Sequence, residues 1–502
     1  MNKDIFNRLD CCYIEFDPSW DHETEIINAR LLLTSLRFDL YAILQYIDQI
    51  VNGVSDLTYA KEIYYQRTNI ITGYTCSERG NDNKNSFDDF VTCLDNLISD
   101  FQENKFDVSK SIIPVDKNYV ILDGAHRVCC AAYFNREIEI VRFTNKDFNL
   151  FVTCDFMINK GLPSYVADAM ALEYCRWHKN IFMLFLWPKS FCLPEKYKEA
   201  YELIRANVNI VYHKQSKLSY NGIRNLMIQI YSHMPWIGNV DNDFQSTYIK
   251  ANEVWDNNGN VEFILCEAPS CEYILSVKKK VRDIFKIGLA SIHSTDNAKE
   301  TKIAANLIFN PNSVHHLNFG YPDKFKDSYH LLESFKSQIS SKQLDFSKFV
   351  IDSSMVMAIY GIRKAADLDY HTSYPETKSL CWEDEIEDHR ASISYYHKTC
   401  SDLIYNPKNY FIFNELKFVT LRNVSMFKKN RMMNRDATDI CLIKPYISNS
   451  RIKTFFFKVN ISLLQNKIKS KILLRKKIDA VLLTLGIRPL VANLYHFIKR
   501  KK

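Results

Sequence analysis

The stretch FVIDSSMVMAIYGIRKAADLDY, residues 349–370, decides how the rest of the chain is read. It opens on an apolar run with the character of a buried strand and breaks at Ser353 and Ser354. A helix-compatible dozen follows and ends in Asp367-Leu368-Asp369, placed on a second strand. In a strand, residues i and i+2 share one face, so the two carboxylates point the same way. Two like charges that close repel unless a cation sits between them, and a hard divalent ion, Mg2+ (or Mn2+), takes oxygen ligands of this kind. Taken alone, the same pattern also suits a serine helix cap followed by a solvated strand end.

A chain of 502 residues exceeds one core and suggests about three domains at roughly 150 residues each. Its composition, 47% apolar and 25% charged, is that of ordinary globular protein. No window holds the roughly 18 apolar residues of a membrane-spanning helix, and the acidic N-terminal segment lacks the apolar core of a secretory signal. The expected location is cytoplasmic. Fourteen cysteines are scattered with no CxxC pair, which argues against structural zinc and for reduced, buried thiols.

Charge is unevenly placed. Residues 451–502 hold fourteen Lys/Arg against the single acid Asp479, so the net charge of +7 leaves about −6 for residues 1–450. A body of that sign disfavours nucleic acid as a partner. The tail itself interleaves Lys and Arg with Leu, Ile and Phe at helical spacing. Such a basic amphipathic segment suits an anionic membrane surface, where each cation adds about 1 kcal/mol.

The chain reads as an α/β, multidomain protein in four segments: a helical N-terminus with a small α/β module (1–160), an α/β middle region (161–290), the segment that holds the opening motif (291–447) and the basic tail (448–502). Residues 1–105 read mostly as helices, including ETEIINARLLLTSLRFDLYAILQYIDQIVNG (23–53), and strand–helix alternation is expected after 180. His315 and His316 are placed on a strand, at the surface or in a groove.

The Ser353-Ser354 turn, the twelve residues after it and the Asp367-Leu368-Asp369 strand resemble the nucleotidyltransferase fold of the polymerase-beta type. LKFVTLRNVSMFKKNRMMNRDATDICLI (416–443) looks like the C-terminal helices of small proteins with that fold, with Lys428, Arg431, Asp436, Asp439 and Ile440 in the corresponding places. The resemblance implies that Asp367 and Asp369 hold the metal and act in catalysis, and that Ser353, Ser354, Lys428 and Arg431 bind phosphate. Ser353 stands where those families place glycine. The third carboxylate they add is open between Asp402 and the acids of 383–388.

A second motif, VILDGAHRVCCAAYF (120–134), resembles the ParB/sulfiredoxin fold, which carries an Asp-Gly-His-Arg type of turn between strand and helix. It implies nucleotide or phosphate binding by Gly124, His126 and Arg127 at a helix N-terminus, with Asp123 in a catalytic, kinase-like role. Ala125 replaces the reactive cysteine of sulfiredoxin.

Together these resemblances imply a metal-dependent nucleotidyl or phosphoryl transferase of the kind found in bacterial surface-polysaccharide biosynthesis, peripheral on the inner face of the cytoplasmic membrane. The donor would be a nucleoside triphosphate or nucleotide-activated group, and the acceptor a glycan or lipid-linked saccharide. The alternative is a non-catalytic or toxin-like regulator that binds nucleotide or nucleic acid.

Overall fold

The computed structural model describes residues 19–447 apart from 79–80, 82, 109–110, 376–381 and 384, with isolated positions before 19 and between 470 and 488. It is a mixed α/β structure built on three sheets. Residues 1–439 form one compact unit and residues 440–502 a second. The membrane-binding reading of the tail falls almost entirely outside the described residues. Among those described, no helix is long and apolar enough to cross a membrane.

The first sheet orders β1 (His22–Asn28), β3 (Glu137–Phe143) and β2 (Ile113–Val115), with β3 central. The helix expected from residue 23 onward therefore begins only at Leu40, and runs to Val51. Residues 22–28 pair antiparallel with β3 from His22↔Phe143 to Asn28↔Glu137. Arg142 of β3 bonds to both Glu23 and Glu25. Cross-strand charge pairs and the edge position override a weak helical period.

The second sheet orders β5 (Asn209–Lys217), β6 (Asn260–Glu267), β4 (Ile181–Leu186) and β7 (Ile292–Ser294), all antiparallel. β4 and β5 run parallel with β6 between them, and β6 and β7 run parallel with β4 between them. Helices Pro194–Asn207 and Cys271–Phe285 make the crossovers, so the sheet consists of two interlocked split βαβ units. All six residues of β4 are buried, as a central strand covered on both faces requires.

The third sheet orders β10 (Ile386–Asp388), β9 (Leu368–Thr372), β8 (Phe349–Ile351), β12 (Leu416–Val419) and β11 (Tyr410–Phe413). β12 occupies the start of the 416–443 segment read as helical, and the helix begins after it, at Leu421. His315 and His316 lie on the helix Pro311–Phe319 rather than a strand. His316 is fully buried there, 3.3 Å from the Ile359 carbonyl. One apolar core runs from Ala29 to Ile412 and draws side chains from all three of the first segments.

Under the N-terminal module lies a buried charge cluster. Asp39 is fully buried and accepts from Arg37 Nε at 2.8 Å and Arg67 Nη2 at 2.6 Å. Burial pushes the Asp39 carboxyl up, but the two guanidinium groups outweigh it and hold it at about 2. A carboxyl held low contributes stability above its unfolded pKa and loses it as pH falls through the folded one. The shift corresponds to roughly 2 kcal/mol. Urea unfolding between pH 4 and pH 2 is expected to show that loss, and Asp39→Asn to flatten this part of the profile while lowering stability at pH 7 by about 3–5 kcal/mol.

Candidate active site at the end of the third sheet

β8 consists of three buried apolar residues, and Asp352 follows at its carboxyl end, itself fully buried. Ser353 then adopts φ 55°, the left-handed conformation that favours glycine. The turn thus has the backbone of a glycine turn although its residue is serine. Ser354 enters the helix Ser353–Ile359, whose residues are all buried, and its hydroxyl donates to Asp367 Oδ1 at 2.8 Å.

β8 and β9 are antiparallel, with Ile351 opposite Tyr370 and Val350 opposite His371. The Asp352 amide donates to the Asp369 carbonyl at 2.9 Å, which continues the ladder by one residue. β10 runs parallel to β9, with Glu387 in register with Asp369. Paired residues of neighbouring strands share a face. Asp352, Asp369 and Glu387 therefore form one row across three strands, and His371 and His389 form the next. Tyr370 points to the opposite face, against Phe335, Phe349 and Trp382.

The electrostatics of this face are unbalanced. Burial pushes the Asp369 carboxyl up to about 6, and Asp352, Asp367 and Glu387 add to the rise, against the opposing pull of His389. Asp352 accepts the Ser353 amide and the Tyr396 hydroxyl on Oδ1. On Oδ2 it meets His371 Nε2 and His389 Nδ1, each at 3.0 Å. These partners hold the Asp352 carboxyl far below the usual carboxylate range despite full burial. His371 is raised to about 9: burial lowers it, but Asp352 and the nearby Cys400 side chain win.

Of the open choices for a third carboxylate, the register singles out Glu387, which is exposed. Asp402 is buried and engaged by the Ser55 and Asp56 amides, the Ser55 hydroxyl and the Thr399 cap. Its role is to pin two loops together.

The cationic helix behaves differently from its expected phosphate role. Lys428 is buried, with Nζ 2.8 Å from Asp439 and 3.4 Å from Asp436. Arg363 makes a two-bond pair with Asp439. The Lys-x-x-Arg…Asp-x-x-Asp pattern is thus an internal ion-pair network, and the Lys428 charge is neutralised inside it. Arg431 remains partly exposed, bonded to Asp436 and set over Phe427. The field of Asp369 and Asp352 reaches it, which places Arg431 at the rim of the acidic face.

The second motif lies beside the first sheet. Gly124 has φ 84°, a left-handed conformation in which any side chain is strained, so the turn favours glycine. It opens the helix Ala125–Tyr133. His126 bonds to the Tyr64 hydroxyl at 2.7 Å, and burial lowers its pKa well below the ordinary value. Arg127 donates to Ser111 and lies 3.6 Å from Asp123. Cys129 and Cys130 are fully buried in the helix. The side chains of His126 and Arg127 are therefore built into local hydrogen bonds, and the two motifs occupy different sheets.

Sequence reasoning did not single out Asp352, His371, His389 and Tyr396. A signal for two of them was available: Asp369-Tyr-His371 and Glu387-Asp-His389 both read acid, spacer, histidine, and strand alternation puts each pair on one face. Comparison with protein-family models, with curated proteins and with solved structures finds no match to this chain.

Removing the buried ammonium at Lys428 leaves two buried carboxylates short of a partner. Lys428→Met is expected to lower the unfolding free energy by about 3 kcal/mol, read from the denaturant midpoint. Arg431→Gln, at a partly exposed position, is expected to cost less.

Proposed function

We propose that the third sheet carries a metal-dependent transferase of phosphorus-containing groups, of the nucleotidyl or phosphoryl type. One observation carries this reading: Asp369, in register with Glu387 and within the field of Asp367, lies beside a left-handed Ser353 turn, and burial with help from these neighbouring carboxylates pushes it up to about 6 against the pull of His389. Such a carboxylate set offers only oxygen ligands, which fits Mg2+ or Mn2+. A bound ion of this kind supplies charge neutralisation for the phosphates and positions the attacking hydroxyl.

The chain's own residues divide the remaining work. The Ser353 turn brings backbone close to the phosphate, as a left-handed residue permits. Ser354 holds the Asp367 carboxylate in place through its 2.8 Å hydrogen bond. Arg431 offers a fixed guanidinium at the rim for phosphate oxygens, while Lys428 and Asp439 keep its helix in position.

The donor is a nucleoside triphosphate or a nucleotide-activated group. A glycan or lipid-linked saccharide is the acceptor, and residues 451–502 bring the enzyme to an anionic membrane surface. The support for that location is the charge of the tail, fourteen Lys/Arg to one acid. The Asp123–Arg127 turn is proposed as a second phosphate contact, supported by the glycine-favouring backbone at its helix start.

The test is Mg2+-dependent turnover of labelled nucleoside triphosphates by the full chain. Asp367→Asn/Asp369→Asn is expected to reduce turnover by roughly a hundredfold or more, with its circular dichroism unchanged. Unchanged turnover in that variant removes the catalytic assignment. Nucleotide binding without turnover in the wild type favours the non-catalytic regulator. Turnover retained in Asp123→Ala/Arg127→Ala makes the first-sheet turn structural.

A further inference from the structure

Asp352, at one end of the carboxylate row, also belongs to a second, chemically different cluster. Asp352, His371 and His389 each present one ligand atom, all within 4.8 Å of one another. The carboxylate of Asp352 divides its two oxygens cleanly. Oδ1 takes the Ser353 amide and the Tyr396 hydroxyl, while Oδ2 faces only the two ring nitrogens, His371 Nε2 and His389 Nδ1 at 3.0 Å each. Separations near 3 Å are those of neighbouring ligand atoms around one ion whose bonds are about 2.0–2.2 Å. The two imidazoles come from β9 and from the residue after the adjacent parallel strand β10, and are tilted by 29° with centroids 5.7 Å apart, so both can turn a nitrogen toward the same point.

We propose that Asp352 Oδ2, His371 Nε2 and His389 Nδ1 bind a divalent first-row transition metal, distinct from the hard cation assigned to the carboxylate row. Two imidazoles and one carboxylate suit Zn2+, Fe2+ or Co2+ and disfavour Mg2+, which takes oxygen ligands. With Nε2 of His371 on the ion, its proton lies on Nδ1. That atom is buried, and the Cys400 side chain is the neighbour acting on this ring. His389 is half-buried, whereas Asp352 and His371 are fully buried. Tyr396 is a positioning residue: its hydroxyl fixes the Asp352 carboxylate, and its ring stacks on Phe427 at 4.8 Å.

This assignment does not rest on the transferase reading, and Co2+ separates the two. Chelator-treated full-length protein is titrated with Co2+ in excess Mg2+, and the visible ligand-field bands are followed. The wild type is expected to take one equivalent with bands of a low-symmetry nitrogen and oxygen site. His389→Gln and His371→Gln are expected to lose them, and Tyr396→Phe to bind about ten- to a hundredfold more weakly. His389→Cys, which keeps a ligand at the half-buried position, is expected to retain the ion and add a thiolate-to-cobalt charge-transfer band. That band cannot arise from a merely structural role. Asp367→Asn/Asp369→Asn is expected to keep the Co2+ bands while losing turnover. Absence of bands in the wild type, or bands unchanged in His389→Gln, overturns the site.

Discussion

The third sheet depends on a single buried carboxylate. Asp352 sits at the end of β8 with no solvent exposure and accepts four donors, from the turn it precedes, from β9, from the residue after β10 and from Tyr396. An isolated ionised carboxylate in such a place would cost several kcal/mol and would shed its charge instead. Its partners reverse that balance and hold it ionised. In doing so they tie three strands and the segment up to Tyr396 to one point. The carboxylate row exists because this point fixes the register of β8 against β9 and the position of β10 beside them.

Two other buried ionic clusters use the same logic. Asp39 with Arg37 and Arg67 supports the N-terminal module, and Lys428 with Asp436 and Asp439 anchors the helix that carries Arg431. In both, removing one member strands the others without water, so their value lies in fixing geometry as much as in stability. The acidic face differs from them. Asp369 is pushed up rather than down, chiefly by burial, with Asp352, Asp367 and Glu387 adding to the rise. Carboxyl groups shifted in this way concentrate at functional sites.

Much of this face was legible in residues 349–370. The apolar β8 run and the strand that carries Asp369 match the structure, while Asp367 falls just before β9, where the Ser354 hydroxyl holds it. Glu387 and the two histidines were hidden for a simple reason: their significance depends on a parallel pairing of β9 with β10, and no local pattern announces which strands pair. The Lys428 assignment shows the opposite hazard. A Lys and an Arg three apart read as a phosphate clamp, but the pair of acids downstream folds back and claims the ammonium. Residues 22–28 read as helix because a few apolar positions fit that period, and the partner strand that decides otherwise begins over a hundred residues later.

By itself, the sequence determined the elements that rest on local physics. These are the buried strands β4 and β8, the glycine-dependent turn at Gly124, and the concentration of positive charge after residue 450. Tertiary structure alone decided which acids meet. It set Glu387 opposite Asp369, closed Asp402 and Lys428 into internal contacts, and brought His371 and His389 to one oxygen of Asp352. The physical reason is that a side chain's charge state and partners are set by burial and by neighbours distant in the chain, and neither is encoded at the residue's own position.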